Sequence, residues 1–151
     1  MAARRGQAPE DPLIELTGIR PGPSTVPDDA VLARLLPDFH REDPQLSAGL
    51  RSLREPELIA AKDTAAVVVL DTLPRGGGTV RLDQEQALAW MAALNDIRLA
   101  IGTRLDITDD GELPTAGEDP HGPATTMFAV YEWLSMALES LVEALMRDEA
   151  G

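Results

Sequence analysis

Apolar positions recur at helical spacing in five stretches of the chain, each bounded by a residue that starts or stops a helix. After Pro27-Asp28-Asp29, the residues Val31, Leu32, Leu35 and Leu36 form a short stripe closed by Pro37, and an Asp there can accept the free amides of a first turn. Asp43-Pro44 repeats the device ahead of Leu46, Leu50 and Leu53, which predicts a second short helix. Glu55-Pro56 then opens a longer element in which Leu58, Ile59, Ala65, Ala66, Val69, Leu70 and Leu73 share a face until Pro74. Val67-Val68-Val69 would suit a strand, but the run is far longer than a usual strand of about 5 to 6 residues, so helix is expected.

Gly76-Gly77-Gly78 reads as a turn, and Thr79-Val80-Arg81-Leu82 as extended at most. Asp83 and Gln86 form a D-x-x-Q capping pair ahead of Ala87, Leu88, Met91, Leu94, Ile97, Ile101 and Leu105, the apolar face of a long helix. The segment 106–123, rich in acids, Gly and Pro, is expected to be a solvated loop. Thr125 or Thr126 then caps a last helix carrying Phe128, Tyr131, Leu134, Leu138, Leu141, Val142 and Leu145. The expected fold is all-α, a small helical bundle of about three long and two short helices, with at most a short extended segment near 79–82. Residues 1–27, holding five prolines, are expected to be a flexible Pro/Gly-rich arm, and 28–151 a single helical domain.

Composition narrows the function. Of 151 residues, 26 are acidic and 13 basic, a formal charge of -13. The imbalance is concentrated in residues 76–151, with 14 acids against 4 bases, compared with 12 against 9 in residues 1–75. A surface of that sign repels phosphate backbones, which disfavours direct nucleic-acid binding and favours a basic protein partner. Cysteine is absent, which excludes disulfides, thiolate metal sites and a redox switch built on the chain's own thiols. No apolar run approaches the roughly 20 residues of a membrane span. The start MAARRGQAPEDP lacks the apolar core of a secretory signal, so the expected location is cytoplasmic, without membrane contact.

Candidate chemistry is sparse. His40 and His121 lie in loop-like contexts with no catalytic signature around them and are expected to be exposed. Gly76-Gly77-Gly78 lacks the G-K-[ST] ending of a phosphate loop, and Lys62 is the sole lysine. Asp106, Thr108 and Asp110 with Gly111 begin like a calcium loop, but Gly117 stands where the closing bidentate glutamate is required. We therefore expect no catalytic residue, no cofactor, no metal and no enzymatic activity. The polar residues Asn95, Asp96, Arg98 and Arg104, inside an apolar helix that also holds Trp90, are the candidate site, either as a partner-binding surface or as a packing network. In the packing reading they bond between helices, Asp96 and Arg104 with carboxylates such as Glu132 or Glu139. Gly102 marks either a close helix approach or a weak point, and Trp90, Tyr131 and Trp133 are packing or interface aromatics.

The stretches AVLARLLPDFHREDPQL, ELIAAKDTAAVVVLDTL, WMAALNDIRLAIGTRLDIT and YEWLSMALESLVEAL resemble the actinobacterial AosR-like family, long known only as a domain of unknown function and often encoded beside the Clp adaptor ClpS. The resemblance runs from about Asp11 onward and is most specific over W-x-x-x-L-N-D-x-R-L-A-x-G-T-R-L, Trp90 to Leu105. It implies a regulator of the oxidative-stress response that acts on transcription through a sigma factor or RNA polymerase. The alternative is a partner or adaptor in Clp-dependent proteolysis, and a homo-oligomer stays open. The family's redox switch is an N-terminal cysteine pair, which this chain lacks. Family members usually begin with a further helical segment, and without it an exposed apolar groove is expected.

Overall fold

A computed structural model describes residues 22–107 and 121–149. Among the described residues the elements are four helices, α1 (Ala30–Leu35), α2 (Pro44–Thr72), α3 (Gln84–Arg104) and α4 (Pro123–Glu149), and the fold is all-α. Residues 79–82 form no strand. Among the described residues, no helix is long and apolar enough to cross a membrane. Residues 1–21 of the expected arm and 108–120 of the expected loop lie outside the described residues.

Helix starts follow side-chain chemistry. Asp29 Oδ1 accepts from Leu32 N at 2.9 Å, and Asp43 Oδ1 accepts from the amides of Gln45 and Leu46, each at 3.0 Å. Asp83 and Gln86 close the expected capping box, with bonds of 2.8 and 3.1 Å. Helix α4 differs from expectation: it begins at Pro123, before either threonine, and Thr126 N already bonds Gly122 O at 3.2 Å. Proline suits this first position because its φ is preset and its missing N–H has no intrahelical role there.

The second short helix and the longer one expected after it are a single helix, with Pro56 inside α2. Proline cannot donate to the carbonyl four residues back, here that of Ser52. Gly22 supplies the missing donor, its N–H reaching Ser52 O at 2.6 Å. The approach needs a glycine, because a Cβ at position 22 would stand 2.9 Å from Pro56 Cγ. Gly22→Ala is therefore expected to lower stability by about 1–2 kcal/mol through forced backbone displacement. Adding Pro56→Ala should recover most of that loss, since α2 regains its own donor to Ser52. Urea midpoints of the two variants check both results; an unchanged midpoint for Gly22→Ala would refute the contact.

The chain forms two compact units, Met1–Asp63 and Thr64–Gly151, with the division inside α2. In the first, the face of α2 that turns inward is not the expected Leu46, Leu50 and Leu53. Leu46 and Leu53 are exposed, while Ser47, Arg51, Glu55 and Ile59, spaced by four, are buried beside Leu36. Polar groups can occupy that face because they are paired, as described below. In the second unit the buried apolar residues are Ala65, Ala87, Ala93, Leu94 and Leu134. Leu70, Leu73, Leu88 and Ile97, expected on apolar faces, are exposed.

Candidate functional site

The two long helices of the second unit, α3 and α4, run antiparallel. Gly102 lies against Tyr131, whose Cε2 would be 3.2 Å from an added Cβ, and lower numbers on α3 then meet higher numbers on α4. Gly102 thus marks a close helix approach. Between the helices an open groove of about 460 Å³ is lined by Met91, Ala92, Asn95 and Arg98 from α3 and by Ser135, Leu138 and Val142 from α4.

Of the candidate residues, Asn95 and Arg98 share this groove. Arg98 Nη2 donates to Asn95 Oδ1 at 3.1 Å, a bond within α3 and not between helices. The Arg98 guanidinium also lies 5.8 Å from the centroid of the Tyr131 ring on α4. Its Nε is buried without an acceptor, and no carboxylate pairs with Arg98 among the described residues. The groove is therefore apolar toward Met91, Leu138 and Val142, and polar with a positive charge toward Asn95, Arg98 and Ser135.

Trp90 is placed elsewhere. Its Nε1 donates to Thr72 Oγ1 at 2.7 Å, and that hydroxyl in turn donates to Val68 O at 2.6 Å, tying α3 to the last turn of α2. Asp96 is half-buried outside the groove lining. Arg104 is exposed in the last turn of α3, where a cation complements the helix dipole. The expected pairs from Arg104 to Glu132 or Glu139 are not formed among the described residues; all three side chains are exposed. Below Arg104, α3 ends in a Schellman turn, with Ile107 N on Gly102 O and Asp106 at φ 56°.

A buried charge network in the first unit was not singled out by sequence. Arg51 Nη1 donates to Leu36 O at 3.0 Å and to Glu55 Oε2 at 2.8 Å, while Nη2 donates to Asp38 Oδ1 at 2.9 Å. Arg51 and Glu55 are 1% and 0% exposed, and the guanidinium stands 5.8 Å from the Phe39 ring centroid. A buried guanidinium held by these three acceptors anchors the turn after α1 onto α2. The sequence signal was the i, i+4 spacing of Arg51 and Glu55, which on an exposed helix face is commonplace. His40 is exposed as expected, but its Nδ1 accepts from Asp43 N at 3.1 Å and so helps shape the entry to α2.

The family model described as a domain of unknown function, DUF2017, matches residues 1–145. The oxidative stress regulators AosR of Mycobacterium tuberculosis and Mycobacterium bovis are 43% identical over 156 residues, covering 95% of this chain and 70% of theirs. The putative oxidative stress regulator AosR of Mycobacterium leprae is 42% identical over 157 residues, with the same coverage. No solved structure matches the chain. A family model that spans nearly every residue, joined to identity of this level over nearly the full length, means that the chain belongs to the AosR-like DUF2017 family.

Proposed function

We propose that this protein is a cytoplasmic regulator of the oxidative-stress response that acts on transcription through a protein partner, a sigma factor or RNA polymerase, without reading DNA itself and without catalysis. The observation that carries the reading is the 43% identity over 95% of the chain to proteins named oxidative stress regulators. The charge agrees with the route: a chain of net charge -13 is poorly suited to phosphate backbones, whereas its acidic half would speed and orient docking onto a basic protein surface. None of these 151 residues is a cysteine, so a thiol switch cannot be built from them.

Affinity purification of the tagged protein from its source cells, with and without peroxide, tests this. Recovery of a sigma factor or polymerase subunits is the expected result. Recovery of Clp components alone would replace the reading with one in proteolysis. Tight promoter binding by the purified chain, weakening steeply with salt, would overturn the indirect route.

A further inference from the structure

Helix α4 presents a second face, turned away from α3. At about 100° per residue, Trp133, Met136 and Ser140 fall within a sector of about 60°, opposite Tyr131, which meets Gly102 of α3, and the buried Leu134. Trp133 and Met136 are 58% and 60% exposed, and Ala129 and Ser140, one turn before and after them, are small and exposed, which leaves room for a helix laid along the strip. Beside the strip run Glu132, Glu139 and Glu143, all exposed and within about 40° of one another. Their carboxylates make no hydrogen bond or ion pair among the described residues. Arg147, the one base in α4, donates its Nε–H to the backbone carbonyl of Glu143 at 3.2 Å.

We infer that the Trp133–Met136 face of α4 is a docking surface for a basic amphipathic helix of a partner protein, whose apolar side chains cover Trp133 and Met136 and whose lysines or arginines meet Glu132, Glu139 and Glu143. Charge selects this occupant. A second copy docked through the same face would set these glutamates against one another, and the chain's net charge of -13 opposes self-association. DNA, RNA or an anionic lipid surface would bring phosphates to the same acids. Apolar contact comes from the side chains that interfaces concentrate, Trp and Met, while charges flanking an apolar seam choose the partner and fix its orientation. The inference rests on the reading above that the protein acts through a protein partner, and adds where that partner lies and what it presents.

The test is fluorescence anisotropy of a labelled amphipathic peptide of about 18 residues, leucines on one helical face and lysines beside them, titrated with the full chain. The wild type should bind it, and the same peptide with glutamate for each lysine should bind at least about tenfold more weakly. Glu132→Gln, Glu139→Gln and Glu143→Gln combined, and Trp133→Ala alone, should each weaken binding about tenfold. A control that neutralises as many exposed acids elsewhere, Glu42→Gln, Asp71→Asn and Glu85→Gln combined, should stay within about twofold of the wild type at physiological ionic strength, where distant charges are screened. All the replaced side chains are exposed, so the variants keep the fold, which far-UV circular dichroism verifies. No binding by the wild type at about 100 μM, equal weakening by the control, or unchanged binding by Trp133→Ala overturns the inference. So does a wild type that sediments as a dimer and returns to 16.2 kDa in Trp133→Ala, which would make the occupant a second copy. Because the probe is synthetic, a failed purification removes the functional reading while this titration still judges the face.

Discussion

Replacing Arg51 by methionine is expected to destabilise the protein by about 3–5 kcal/mol, because it removes the cation from a buried charge network. Methionine fills much of the same space, so the loss is electrostatic and not a cavity. Glu55, 0% exposed, would lose the guanidinium at 2.8 Å, and the Leu36 carbonyl would lose its donor at 3.0 Å. Asp38 is different: half-exposed, it can turn to water, and its share of the effect is small. Glu55→Gln should cost less than Arg51→Met, since an amide oxygen still accepts from Arg51 and no carboxylate is left buried. Denaturant titrations followed by circular dichroism check the order. An Arg51→Met protein within about 0.5 kcal/mol of wild type would mean that the network is not closed in solution.

That network shows where the sequence stops being legible. Helix starts were readable because a cap is local: Asp29, Asp43 and Asp83 each accept from amides two or three residues ahead. The passage of α2 through Pro56 was not, because its orphaned carbonyl is satisfied by Gly22, thirty positions upstream. The facing of α2 failed for a related reason. A Leu46, Leu50, Leu53 stripe outranks Ser47, Arg51, Glu55 on apolar content, and only the nearby Leu36 carbonyl and Asp38 make the polar face the cheaper one to bury.

The candidate site follows the same division. The pattern pointed Asn95 and Arg98 toward bonds between helices, whereas they bond each other within α3, and Gly102 as a close approach was one of two readings its place in the helix allowed. The Trp90–Thr72 bond joins residues 18 apart across the glycine turn, and no local pattern signals it. Arg104 was read together with Arg98 because both interrupt an apolar run, yet six residues turn a helix by about 240°, so the two project from different faces.

Leu134→Ala is the second large effect, expected at about 2–5 kcal/mol. The second unit buries few large side chains: beside Leu134, 3% exposed, stand Leu94 and three alanines. Small residues let α3 and α4 approach closely but leave little apolar volume, so the loss of one leucine removes a large part of that unit's transfer free energy and leaves a void the alanines cannot fill. Met136→Ala, on a side chain 60% exposed, is the matched control and should stay within about 0.5 kcal/mol of wild type. Amide hydrogen exchange locates the effect: protection in α3 and α4 should fall in Leu134→Ala while the Arg51 region of α2 keeps more of its own. Equal losses for the two variants would mean that α4 does not turn Leu134 inward.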